Sequence, residues 1–140
     1  MKYTESKMDL FSVDESFYLA HCISCDGALG KGIALEFKKR FGLRETINAG
    51  RRGNLYVGTA VLEDRVFNLV TKREYWSKPT YQSLESSLRE MKRIAEENGI
   101  NKIACPLIGC GLDRLSWGKV REIIANTFSD TDIEILVCKL

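Results

Sequence analysis

Apolar residues recur along this chain in two rhythms. Short unbroken runs alternate with stretches in which apolar positions fall three or four apart. The runs Phe17–Ile23, Leu55–Leu62, Val66–Thr71, Ile103–Ile108 and Ile133–Cys138 are strand-like, and a further strand is expected near Tyr3–Lys7. Glu63-Asp64-Arg65 is short enough to turn a hairpin between the second and third runs. Between them lie three amphipathic helices. In Gly32–Gly42, Ile33, Phe37 and Phe41 are spaced by four and Gly42 is placed to cap the end. From Thr80 to Gly99, Leu84, Leu88, Met91, Ile94 and Ala95 share a face. From Ser116, the expected N-cap, to Phe128, the inward positions are Val120, Ile123, Ile124 and Phe128.

Helices that alternate with apolar strands predict an α/β fold: a three-layer α/β/α sandwich around a mixed, largely parallel sheet. In such sheets ligands sit beyond the carboxyl ends of the strands. Three loops fall at that edge: Ser24–Gly32, Lys72–Lys78 and Gly109–Arg114. The length of 140 residues suits a single domain spanning 1–140.

Composition narrows the class of partner. The formal net charge is +2, so no broad nucleic-acid footprint is expected, and the clusters Lys38-Lys39-Arg40 and Arg51-Arg52 read first as solvated surface. No apolar stretch is long enough to span a bilayer, and the charged N-terminus is unlike a signal peptide. The expectation is a cytoplasmic monomer, or a nuclear one in a eukaryote, with no membrane partner. Its five cysteines are then expected to be free thiols.

The candidate chemistry lies in the loops. Gly27-Ala28-Leu29-Gly30-Lys31-Gly32 opens a helix, where bare amides and the helix dipole favour an anion, although the spacing is neither a Rossmann nor a Walker pattern. A second glycine turn, Gly109-Cys110-Gly111, follows the strand Ile103–Ile108. Two such turns supply donors from both sides of a diphosphate. Asp113 reads equally as a base, a ligand for a ribose hydroxyl, or an acid leading a helix. Lys72 closes an apolar strand, as a snorkelling lysine or as a nucleophile. Cys22-Ile23-Ser24-Cys25 favours packing over redox or zinc chemistry, since no second pair completes a metal site. His21, on the strand face opposite Cys22, reads as a core residue rather than a catalyst. Tyr75 and Trp76 suit stacking, shielding or anchoring alike.

Taken together, Asp9-Leu10-Phe11, Ala20-His21-Cys22-Ile23-Ser24, Gly30-Lys31-Gly32-Ile33-Ala34, Leu69-Val70-Thr71-Lys72, Lys78-Pro79-Thr80-Tyr81 and Ile108–Leu115 resemble the macrodomain family, in its terminal ADP-ribose protein glycohydrolase branch. A related branch removes ADP-ribose from DNA. The resemblance implies an ADP-ribose site and an enzyme without cofactor or metal. It places Asp9 on the adenine amino group with the Leu10 backbone beside it. Ser24, Gly30, Lys31 and Gly32 would line the distal ribose and diphosphate. Ile108, Gly109, Cys110, Gly111 and Leu112 would close over the phosphates, and His21 is carried over with its segment. The implied catalytic pair is Lys72 and Asp113. Lys72, as the free amine, attacks the anomeric carbon and expels an acceptor carboxylate; Asp113 helps to resolve the lysyl adduct. The implied substrates are protein acidic side chains bearing mono-ADP-ribose, or O-acetyl-ADP-ribose. A non-catalytic reader and a DNA de-ADP-ribosylating antitoxin are the alternatives. Two departures stand out. Cys138 occupies the place of an aromatic residue that human-like members carry beside the adenine, and the loop Cys25-Asp26-Gly27-Ala28 is less polar than usual.

Overall fold

The computed structural model describes residues 1–140. Its strands are β1 (Lys2–Lys7), β2 (Tyr18–Ser24), β3 (Thr59–Glu63), β4 (Val66–Lys72), β5 (Lys102–Cys105) and β6 (Glu134–Lys139). Its helices are α1 (Gly32–Phe41), α2 (Arg44–Arg51), α3 (Tyr81–Glu97) and α4 (Trp117–Phe128), and a single 3-10 turn covers Leu10–Ser12. The strands form one sheet in the order β1-β6-β5-β2-β4-β3. All neighbours are parallel except β3, which pairs antiparallel with β4. The expected three-layer, largely parallel architecture is therefore observed.

Alternation along β2 explains the two cores. Ala20 faces a cluster with Phe67, Leu69, Leu84, Leu88, Ile124 and Phe128, beneath α3 and α4. Leu19 and Ile23 face the opposite cluster with Phe37, Leu43, Ile47 and Val70, beneath α1 and α2. A central parallel strand covered on both faces must be apolar on both, and β4 is buried at every position from Val66 to Thr71.

Several boundaries differ from the expectation. Of Leu55–Leu62, the first four residues form an approach turn and the strand starts at Thr59, after Gly58 at φ 88. The strand expected to reach Ile108 ends at Cys105, because Pro106 brings no N–H to the ladder. The hairpin turn is two residues, since Glu63 and Val66 are paired, and Asp64 takes φ 55. Helix α2 was not anticipated. Its apolar positions are few, and its sequence, Arg44-Glu45-Thr46-Ile47-Asn48-Ala49-Gly50-Arg51, lacks a run long enough to show a period. It is anchored instead by tertiary bonds. The Glu63 carboxylate accepts from the Thr46 amide at 2.8 Å and from Thr46 Oγ1 at 2.6 Å. Ser116 sits at the N-cap of α4, but its side chain makes no capping bond.

The carboxyl ends of β2, β4, β5 and β6 share one edge of the sheet. Between Ile23 and Ser24 the β2–β4 register slips: Ile23 faces Val70, but Ser24 faces Lys72. The extra residue, Thr71, makes a bulge, which turns the end of β4 and re-aims Lys72. Two serines of α3 secure that end, with Ser87 Oγ donating to the Val70 carbonyl and Ser83 Oγ to the Thr71 carbonyl.

Candidate active site

A cavity of about 800 Å³ opens at this edge. Its walls are the three loops expected there: Ser24, Ala28 and Gly30–Gly32 on one side, Lys72 and Tyr75–Lys78 on another, and Pro106–Arg114 on the third. Cys138, Lys139 and Leu140 complete it from the end of β6. Ser24, Gly30, Lys31, Gly32, Ile108, Gly109, Cys110, Gly111, Leu112, Lys72 and Asp113 are thus brought together as expected.

Both glycine loops present free amides. At Lys31, the N-cap of α1, no side chain caps the helix, so its first-turn donors remain open. In the other loop the amides of Cys110, Arg114 and Leu115 donate to Leu107, Gly111 and Gly109 carbonyls, which folds the turn tightly. The amides of Gly111, Leu112 and Asp113 donate to no protein acceptor. Consecutive free N–H groups of this kind form an anion cradle. Gly109 is required there. It has φ 74, and a Cβ would stand 2.9 Å from Leu115 Cδ1. The two loops nearly meet, since Leu112 Cδ1 comes within 3.7 Å of where a Cβ would sit on Gly32.

Lys72 Nζ donates to Asp113 Oδ1 at 2.6 Å, and both side chains are about 85 % buried, at 14 % and 15 % exposure. The β4 bulge delivers the lysine. The turn after Gly111 delivers the aspartate, with Arg114 held at φ 60 immediately behind it. Of the readings open for Asp113, the geometry selects a partner for Lys72 rather than a helix-leading acid. Tyr81 anchors this wall: its hydroxyl accepts from the Ser116 amide at 2.9 Å, tying the start of α3 to the end of the loop. Thr80 and Ser83 form a reciprocal capping box below it.

Cys22 also lines the cavity. Burial, then the nearby Asp113 carboxylate, pushes its thiol up to about 12. It stays protonated at neutral pH and does not compete with Lys72 as a nucleophile. Cys22, Cys25, Cys105, Cys110 and Cys138 are all free.

Three expected ligand positions, His21, Leu10 and Asp9, are not among the residues that line the cavity. His21 is fully buried under α1, stacked on Phe37 at 4.0 Å, with Nε2 2.6 Å from Asn68 Oδ1. As an ADP-ribose ligand it is therefore corrected to a core residue, because strand alternation turns its ring under Phe37 and short of the strand end where the cavity opens. Leu10 has its side chain in the α1–α2 core, leaving only its backbone for a ligand. Asp9 is exposed just past β1, and its Oδ1 accepts from the Phe11 amide at 3.0 Å. It lies close enough to Cys138, which lines the cavity at the end of β6, to raise that thiol's pKa after the effect of burial, but it is not itself part of the lining. Trp76, left open between stacking, shielding and anchoring, lines the cavity. Lys139 lines it too and was given no site role, because the ordinary composition around it carries no signal.

An α/β/α sandwich with two amide-bearing glycine loops facing a buried lysine–aspartate pair defines a class of proteins built to hold an elongated anionic ligand. The Macro domain profile matches residues 20–124, and the chain belongs to the macrodomain family. It is 41 % identical to the human protein named ADP-ribose glycohydrolase OARD1, over 99 % of this chain and 92 % of that one. It is 26 % identical to the DNA ADP-ribosyl glycohydrolase of Mycobacterium tuberculosis, over 85 % of this chain but only 37 % of that protein. The solved macrodomain of Mycobacterium tuberculosis DarG superposes with a TM-score of 0.90 at 25 % identity, covering 97 % of this chain and 96 % of that one.

Proposed function

We propose that this protein is an ADP-ribosyl hydrolase that releases mono-ADP-ribose from acidic side chains of proteins, and from the chemically similar ester of O-acetyl-ADP-ribose. The observation that carries the reading is the 2.6 Å Lys72–Asp113 contact at one end of a cavity walled by two amide cradles. The sheet order supports the direction of the ligand. Asp9 follows β1 and Lys72 ends β4, four strand spacings away and roughly 19 Å apart at about 4.8 Å per strand. Asp9 at one end suits a base amino group. The glycine loops in the middle suit the diphosphate, and the Lys72–Asp113 pair at the other end suits the distal ribose.

The pair suits displacement at the anomeric carbon. Asp113 Oδ1 takes a proton from Nζ, which frees the nitrogen lone pair. Nζ forms a bond to the anomeric carbon as the carbon–oxygen ester bond breaks, and the acceptor carboxylate leaves with the bonding pair. The departing carboxylate takes the proton from Asp113. Asp113 then removes a proton from a water whose oxygen bonds to the same carbon as the carbon–nitrogen bond breaks. Nζ keeps the bonding pair and takes the proton back from Asp113, and ADP-ribose leaves with Lys72 restored. The loops hold the sugar and diphosphate still while this occurs.

The test is release of ADP-ribose from a glutamyl-modified protein. Lys72→Ala and Asp113→Ala are each expected to cut turnover by about 10²–10⁴-fold while retaining ADP-ribose binding. Activity surviving Lys72→Ala would remove the nucleophile from the mechanism. Tight binding without release from any ester would make the protein a reader of ADP-ribose. The likeness to the DNA ADP-ribosyl glycohydrolase favours a second reading, in which the acceptor is a modified DNA base. An ADP-ribosylated oligonucleotide assayed beside the protein substrate separates the two.

A further inference from the structure

Asp26 takes no part in the chemistry above, yet three donors converge on it. Its Oδ1 accepts from Ser24 Oγ at 2.5 Å and from the Ala28 amide at 3.1 Å. Its Oδ2 accepts from the Tyr75 amide at 3.0 Å, across 49 positions of the chain. One oxygen therefore organises the loop after β2, and the other holds the loop after β4. A second bond, from the Cys25 amide to the Lys72 carbonyl at 2.9 Å, runs parallel to this tether. Only a group with two accepting oxygens satisfies all three donors, and a carboxylate is the short side chain that has them.

The loop after β2 is the rigid partner. Gly27 has φ 70, and a Cβ on it would lie 2.9 Å from the Ile47 carbonyl oxygen. A Cβ on Gly50 would lie 2.6 Å from Gly27 backbone. The loop is thus pressed onto α2 with no room to shift. What it holds is an exposed aromatic step. Tyr75 and Trp76 meet edge to face, 5.0 Å apart, and remain 54 % and 71 % exposed. Both line the cavity mouth within four residues of Lys72. Two large rings left in water at a cavity rim are available to a ligand. They stand at the Lys72 end, on the side where an acceptor bonded to the distal ribose must emerge.

We propose that Asp26 is a positioning residue for the acceptor: through the Tyr75 amide it fixes the Tyr75–Trp76 step against which the acceptor chain rests. This rests on the reading that the cavity holds ADP-ribose with its acceptor at Lys72. Asp26→Asn keeps one accepting oxygen for Ser24 and Ala28 and turns an NH₂ toward the Tyr75 amide. It therefore cuts the tether while sparing the loop after β2. Trp76→Ala removes the ring and leaves the tether.

The experiment uses a peptide carrying ADP-ribose on a glutamate, with free ADP-ribose as the comparison. For Asp26→Asn and for Trp76→Ala, KM for the peptide is expected to rise about five- to tenfold with kcat within about twofold, and Kd for free ADP-ribose to stay within about twofold. The double variant is expected to be no worse than Trp76→Ala alone, because both act through one ring. A fall in kcat at constant KM, a parallel loss of free ADP-ribose affinity, or additive effects in the double variant overturns the proposal. Should the wild-type protein release nothing from the peptide, the hydrolase reading fails separately. Fluorescence anisotropy of the labelled peptide on Lys72→Ala protein, with and without Asp26→Asn, then decides the role of Asp26. Weaker peptide binding with unchanged ADP-ribose binding sustains it, and unchanged peptide binding ends it.

Discussion

At the scale of single residues, His21 shows how burial can turn a motif residue into a determinant of stability. Burial lowers its pKa from 6.5 to about 4, against a smaller upward pull from Asn68. Between those values the unfolded chain binds a proton that the native state refuses. Stability therefore falls as pH drops through that window, by roughly 3 kcal/mol once pH is below the native value. Denaturant unfolding from pH 7 to pH 4 measures this, and His21→Leu is expected to flatten the slope even though it leaves Asn68 short of a partner. The chain showed this role through alternation, since His21 and Cys22 must face opposite ways. What it did not show is that the cavity starts beyond His21, at the last three residues of β2, Cys22, Ile23 and Ser24. Gly109 is the converse case, legible as a turn glycine but for a reason only packing supplies. Its φ of 74 and the nearby Leu115 side chain both oppose a Cβ. Gly109→Ala is expected to cost about 1–2 kcal/mol and to weaken ADP-ribose binding measurably by calorimetry, because the free amides of residues 111–113 shift with the turn.

Among the elements, those with a complete hydrophobic period or an unbroken apolar run could be read from the chain. Helices α1, α3 and α4 and strands β2, β4 and β6 belong to this group. Helix α2 could not be read, because its eight residues bury only Thr46, Ile47 and Gly50 and depend on Glu63 of β3. The β4 bulge was equally hidden: one unpaired residue has no compositional mark, yet it decides where Lys72 points. The glycine contact between α2 and the loop after β2 is a direct test of that dependence. In Gly50→Ala a methyl group would stand 2.6 Å from Gly27 backbone, where no flexible side chain can yield. The expected loss is about 1–3 kcal/mol, read as a lower midpoint of thermal unfolding. An alanine at Gly53, where nothing lies within 4 Å but φ is 74, should cost less, through backbone strain alone.

For the whole molecule, a net charge of +2 conceals a separation of charge. Residues 28–54, which form α1, α2 and the loop leading to them, hold seven of the 21 basic residues and two of the 19 acidic ones. All seven basic side chains are exposed, and only Arg40 is paired, with Glu36. The cavity continues the pattern, since Lys31, Lys72, Lys78, Arg114 and Lys139 line it against Asp113 alone. A sum over the chain cannot reveal this, because the balancing acids lie mostly on other elements, such as Glu85, Glu90, Glu96 and Glu97 on α3. Such a field attracts an anionic ligand from a distance and is screened by salt, whose Debye length falls from about 10 Å at 0.1 M to about 3 Å at 1 M. The Kd for ADP-ribose is accordingly expected to rise about three- to tenfold over that range, while binding of uncharged adenosine hardly changes. Charge reversal of the remote pair Lys38 and Lys39, as Lys38→Glu with Lys39→Glu, separates steering from contact. In stopped-flow binding at low salt it should slow association several-fold and leave dissociation unchanged, because neither residue lines the cavity. An equal change in the dissociation rate would mean that the α1 face acts through the shape of the site rather than through its field.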